Sequence, residues 1–174
     1  MQYDHTKSLK ILKRTPSVLY ALLDDLDIEW VMNNEGADTF SPYDVVGHLV
    51  HGEKTDWAPR IKMILDHGTA KSFEVFDRFA MYEESKGKTM QQLLNEFEAL
   101  RKQNITWFKS LDLQESDYDR KGMHPQLGEV TLRNLVATWV VHDLTHIAQI
   151  SRVMAKQYKT EIGSWVEFFR ILSF

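Results

Sequence analysis

Apolar residues recur along most of this chain at three- and four-residue intervals, the spacing of one face of an α-helix, and no segment shows the alternation of a half-buried strand. A short first segment carries Leu9, Ile11 and Leu12. Thr15-Pro16 then predicts a helix start, with Thr15 as the cap and Pro16 at the first position, where its missing N–H costs nothing. Leu19, Leu22, Leu23 and Leu26 give that helix its apolar face. After a loop at Asn33-Asn34-Glu35-Gly36, Ser41-Pro42-Tyr43-Asp44 opens a second long helix with a cap, a proline and an acid three residues after the cap. Its stripe runs through Val46, Leu49, Val50, Trp57, Ile61 and Ile64 to an end at His67-Gly68. Pro59 lies inside it and predicts a kink near Trp57–Ala58.

Residues 69–88 read as a long connection. Thr89 caps a third helix, in which Leu93, Leu94, Phe97, Leu100, Asn104, Trp107, Phe108 and Leu111 fall close to heptad spacing. Residues 112–130 read as loop. Thr131 caps a fourth helix with the stripe Leu132, Leu135, Val136, Trp139, Ile150, Val153 and Met154, extending to about Tyr158. A short last helix is expected from Trp165 to Leu172. Four main helices and no strand pattern predict an all-α, four-helix bundle with short extra terminal helices.

The length of 174 residues fits one domain able to bury a core, and 43% hydrophobic with 26% charged residues is an ordinary globular composition. A net charge of −4 with no basic run argues against nucleic acid as a partner. No apolar stretch reaches the ~20 residues of a membrane span, and Met1–Arg14 does not read as a signal peptide. The chain has no cysteine, which removes disulfides, thiolate ligands and a cysteine nucleophile from consideration and fits a cytoplasmic protein.

The chemistry is concentrated in histidines. His142-Asp-Leu-Thr-His146 sets two imidazoles four residues apart on one helix face, an arrangement suited to a metal because two ligands share one rigid element. On the helical wheel His146 falls within the stripe of Leu135, Trp139 and Val153, and His142 on its flank. The alternative is a pair of core histidines with separate hydrogen-bond partners. A third ligand should come from another helix. His48 and His51 lie equally far from the second helix's apolar stripe, and spacing does not choose between them; His124, in the loop before the fourth helix, is a further candidate.

Asp143 projects from the middle of the apolar stripe, and Glu53 holds a similar place on the second helix, with Asp56 and Arg60 following. Buried carboxylates need partners. Asp143, Glu53 and Arg60 are therefore expected to be at least partly buried and to interact across helices, either as an ion-pair network or as support for ligand imidazoles, with Glu53 and Asp143 as candidate catalytic general bases.

The segments Ser41-Pro-Tyr-Asp-Val-Val-Gly-His48-Leu and His142-Asp-Leu-Thr-His146-Ile-Ala-Gln149 resemble the DinB/YfiT-like superfamily of metal-binding four-helix bundles, and the likeness extends from Thr15 to about Tyr158. The family's pattern has one histidine early in the second helix and an H-x3-H in the last long one, so the resemblance implies His48, His142 and His146 as the metal ligands. It also implies an up-down-down-up bundle, a divalent cation (Zn²⁺ or Ni²⁺) and frequent homodimers. Characterised members include S-transferases that use bacillithiol or similar low-molecular-weight thiols, and a mycothiol-dependent isomerase. The expected function is therefore metal-dependent transfer of such a thiol to a small electrophile. A metal-dependent hydrolase and a non-enzymatic metal-binding module are the alternatives.

Overall fold

The computed structural model describes residues 3–173; Met1 and Gln2, where the segment read as no signal peptide begins, lie outside them. Asp4 caps α1 (His5–Leu12), its carboxylate accepting from the Lys7 N–H at 3.0 Å. The chain passes through a turn at Lys13 and Arg14 into α2 (Thr15–Leu23). Thr15 is not the cap: Arg14 holds that position with helical backbone angles, and its N–H bonds to the Ile11 carbonyl. Because α1 nearly continues into α2, no side chain has to close the helix start, and Thr15 is left free to serve the interior. Leu26 lies past the end of α2, before the short α3 (Ile28–Met32).

Ser41 and Asp44 form the expected reciprocal cap of α4 (Pro42–Thr55), with bonds of 3.1 and 2.9 Å. The second long helix is broken rather than bent. Pro59 has no N–H for the Thr55 carbonyl, and Asp56, with φ −108° and ψ −70°, separates α4 from α5 (Trp57–His67). The connection after α5 contains α6 (Met81–Ser85), which packs on α4. Thr89 and Gln92 cap α7 (Met90–Ser110), and Thr131 and Asn134 cap α8 (Leu132–Gln157), about 39 Å long.

Two further expectations are corrected. Within residues 112–130, β1 (Lys121–His124) and β2 (Gly128–Thr131) form an antiparallel hairpin, with Lys121 opposite Thr131 and His124 opposite Gly128. Strands this short and this polar carry no alternation; packing fixes them. Gly122 lies so close to α5 that a Cβ there would stand 2.6 Å from Ile64 Cγ1. At the other end, Trp165–Leu172 is not an α-helix but two 3₁₀ turns, Gly163–Phe168 and Arg170–Leu172, separated by extended backbone at Phe169. Leu172 alone of its four expected apolar positions is buried.

The bundle (α1–α2, α4–α5, α7 and α8) has two apolar clusters. One contains Leu12, Trp57, Ile105 and Trp139, the other Leu19, Val50, Phe97 and Ile150. On every bundle helix one polar residue separates the two: Thr15, Glu53, Arg101 and Asp143, each no more than 2% exposed. This buried polar layer crosses all four helices. No helix among the described residues is long and apolar enough to cross a membrane.

Candidate metal centre

α4 contributes His48, and α8 contributes His142 and His146 from adjacent turns. Their Nε2 atoms converge: His142 Nε2 stands 3.1 Å from Nε2 of His48 and 3.1 Å from that of His146. One nitrogen of each ring lies within 4.8 Å of the others. Burial, reinforced for His48 and His142 by the neighbouring imidazoles, pushes all three pKa values down, His48 to about 3 and His142 to about 2. At neutral pH the rings are uncharged. The Gln149 side-chain carbonyl lies 2.8 Å from His146 Nδ1 and accepts a hydrogen bond from its N–H, which leaves the Nε2 lone pair facing the other two rings.

Three neutral imidazoles with their Nε2 atoms turned on one another cannot satisfy themselves, because His142 Nε2 faces two like atoms with a single valence. A divalent cation accepts all three lone pairs, at Nε2 distances of about 2.0–2.1 Å. The residues present fit such an ion. Aromatic rings hold the imidazoles in place: Trp57 stands edge-on to His142 at 5.1 Å, and Phe76 edge-on to His48 at 5.4 Å. Among the described residues, the Nδ1 atoms of His48 and His142 have no hydrogen-bond partner.

His51 is not part of the cluster. Its Nδ1 lies 2.8 Å from Glu84 Oε1, on the α6 side of α4. The wheel could not separate it from His48 because α4 has no wet face over this stretch: every residue from Val45 to Glu53 is buried, by the bundle on one side and by α6 and its connection on the other. His124 lines the same cavity as the cluster, but its Nδ1 accepts the N–H groups of Gln126 and Leu127 at 3.1 and 3.2 Å, which ties the ring to its own turn.

Beside the histidines, Arg101 binds both buried carboxylates. Its guanidinium reaches Asp143 at 2.5 and 2.9 Å and Glu53 at 2.9 Å. Thr15 donates to Asp143 at 2.6 Å, and Trp139 Nε1 and Asn104 donate to Glu53 at 3.0 and 2.9 Å. Burial opposes the Arg101 charge, but the two carboxylates outweigh it and raise its pKa; burial pushes Glu53 up. Every group facing these carboxylates is a donor, so both act as acceptors.

Asp143 and Glu53 thus bond across helices as expected, and neither lines the cavity. Arg60 does not join them. It pairs with Asp56 at 2.5 Å, one turn back, and lies over Phe73. Arg101, absent from the sequence reading, had a signal: Leu94, Phe97, Arg101, Ile105 and Phe108 keep the spacing of one buried face, with the arginine at its centre.

The cluster forms part of the wall of a cavity of about 880 Å³. Asp56 and Trp57 lie on that wall, with Phe73, Phe76 and Thr138. Burial raises the pKa of Asp56.

In overall structure the chain is similar to YfiT from Bacillus subtilis, a probable metal-dependent hydrolase with an unusual four-helix bundle topology, at a TM-score of 0.75 and 20% identity over 94% of this chain and 91% of that one. Comparison with curated proteins gives no match. The sequence profile of the DinB superfamily matches residues 11–150, a span that holds α2 to α7 and all three clustered histidines. The chain belongs to the DinB superfamily.

Proposed function

We propose that His48, His142 and His146 hold one divalent cation, Zn²⁺ or Ni²⁺, and that the protein is a metal-dependent enzyme in which a low-molecular-weight thiol attacks a small electrophile. The observation that carries the metal-dependent reading is the convergence of three neutral Nε2 atoms on the wall of an open cavity. Three protein ligands leave coordination positions free, as in catalytic rather than structural sites. When bound, the cation supplies Lewis-acid activation that lowers the pKa of a thiol or a water.

The chain's own residues do the rest. Gln149 fixes the His146 tautomer, Trp57 and Phe76 exclude water from one side of the imidazoles, and the Arg101 layer holds α4 and α8 in register. Glu53 and Asp143 act in that layer as positioning groups, while Asp56 is the carboxylate able to take up the nucleophile's proton. The volume, about 880 Å³, favours a thiol as nucleophile, since it lies near the upper end of small-molecule sites and accommodates two reactants. The likeness to YfiT supports a second reading, in which water is the nucleophile and the reaction is hydrolysis. The exposed Trp165, Phe168 and Phe169 support a homodimer.

The test combines metal analysis of the purified protein with turnover of an electrophile panel, with and without added thiols. Metal together with thiol-dependent conjugation is the expected result. Equal rates with and without thiol transfer the conclusion to hydrolysis. A metal-loaded protein without turnover in either arm leaves a binding module.

A further inference from the structure

Four cationic or potentially cationic side chains other than the clustered histidines line the cavity: Arg60, Arg78, His124 and Arg152. Three are accounted for within the protein. Arg60 is paired with Asp56. Arg152 is bound at two points by Glu35, at 2.8 and 2.7 Å. His124 is kept neutral by burial and by the nearby Arg60 charge.

Arg78 differs. It makes no ion pair or hydrogen bond among the described residues, and Asp38, the remaining carboxylate on the wall, does not reach it. Its guanidinium instead rests over two aromatic faces, Phe79 at 4.8 Å and Phe40 at 5.7 Å. Ring faces of this kind hold the guanidinium plane and leave its N–H edge open. Phe40 also lies 5.8 Å from the His48 ring, so a single aromatic ring separates this cation from a metal ligand.

We propose that Arg78 is the specificity-determining residue of the cavity and that the substrate is a small molecule bearing a carboxylate, which Arg78 holds while the reacting group faces the three histidines. An open guanidinium edge matches the two oxygens of a carboxylate as a bidentate pair, and one fixed charge matches one monoanion. In a protein of net charge −4, such a local cation gives an anionic substrate a point of attraction at the cavity. The inference rests on the metal-dependent reading above, and it holds for thiol or water as nucleophile.

The experiment separates the two. Zinc-loaded protein is titrated calorimetrically with acetohydroxamate, which tests the metal site alone. It is then titrated with the monohydroxamates of succinic, glutaric, adipic and suberic acids and with their methyl esters. At least one free acid should bind tenfold or more tightly than its ester, and Arg78→Gln should erase that advantage while acetohydroxamate affinity and zinc content stay as in the wild type. If no acid outperforms its ester, or the advantage survives in Arg78→Gln, Arg78 does not select a carboxylate and the metal reading stands. If acetohydroxamate itself does not bind, the metal reading falls and this inference falls with it.

Discussion

Arg101 on α7 and Asp143 on α8 form a two-point ion pair at 2.5 and 2.9 Å with neither side chain more than 1% exposed. Asp143 is the chain neighbour of His142, so the pair fixes the stretch of α8 from which the ligand imidazoles project. A buried ion pair is not a sure source of net stability, but removing one partner strands the other charge. Arg101→Met strands two, Asp143 and Glu53, and is expected to cost about 3–5 kcal/mol in chemical denaturation. Adding Asp143→Leu and Glu53→Gln to Arg101→Met should recover a large part of that loss. A single variant as stable as the wild type would show that the carboxylates find other partners.

Gly122→Ala tests the hairpin. The new methyl would stand 2.6 Å from Ile64 Cγ1 and 2.9 Å from two atoms of the Phe73 ring, all of them well inside van der Waals contact. Ile64 and Phe73 are buried core residues that cannot swing aside. Overpacking of this kind costs about 1–3 kcal/mol, so the melting temperature should fall, with metal content unchanged because the ligands lie on α4 and α8. An unchanged melting temperature would mean that the hairpin moves freely on α5.

Acid should destabilise the metal-free protein in a defined window. His48 and His142 are held at about 3 and 2, far below the ordinary value of 6.5 that they regain on unfolding. Between those values the unfolded chain binds more protons than the native one, so stability rises with pH there. The histidine contribution is complete above pH ~6.5 and is lost as pH falls toward the folded values, by up to about 1.4 kcal/mol per histidine for each pH unit. Glu35 is the main depressed carboxylate, held at about 2 by Arg152 and Lys156, and its contribution is lost only below its unfolded value near 4.5. Burial raises Glu53 and Asp56, which act in the opposite direction, so a rise in melting temperature from pH 5 to 7.5 should report the histidines. His48→Gln/His142→Gln should flatten the slope, and an equally steep slope in that variant would assign it to other groups.

Reading the sequence succeeds where one helix face is wet and the other dry. On α7 and α8 the stripe, the caps and the inward H-x3-H all emerge from periodicity, because solvent supplies the contrast. On α4 that contrast disappears, and the wheel treats His48 and His51 alike although one joins the cluster and the other pairs with Glu84. The residues needed to resolve them, those of α6, belong to a connection without periodicity of its own. Thr15 misleads for a related reason: its cap signature is genuine, but α1 arrives already helical and leaves the hydroxyl to Asp143. Arg101 is legible by spacing and not by residue type, because a long cation suggests a solvated position although it stands at the centre of the buried face of α7.

The decisive comparison is between the two histidines that the sequence leaves equivalent. His48→Ala, His51→Ala and His142→Ala are to be purified, reloaded with Zn²⁺ and assayed for bound metal. His48 and His142 each supply one of three convergent Nε2 atoms, so losing either leaves two ligands, and zinc affinity should drop by orders of magnitude. His51 pairs through its Nδ1 with Glu84 on α6 and stays outside the cluster, so His51→Ala should retain zinc at wild-type stoichiometry. It should still lose stability, because truncating a buried imidazole (5% exposed) opens a cavity and leaves Glu84 with Lys54 alone. The two readouts therefore cross: zinc without full stability in one variant, and lost zinc in the other two. A His51→Ala protein that loses its metal while His48→Ala keeps it would reverse the assignment, placing the third ligand on the α6 face of α4. Retention of zinc by all three variants would remove the ion from these histidines altogether.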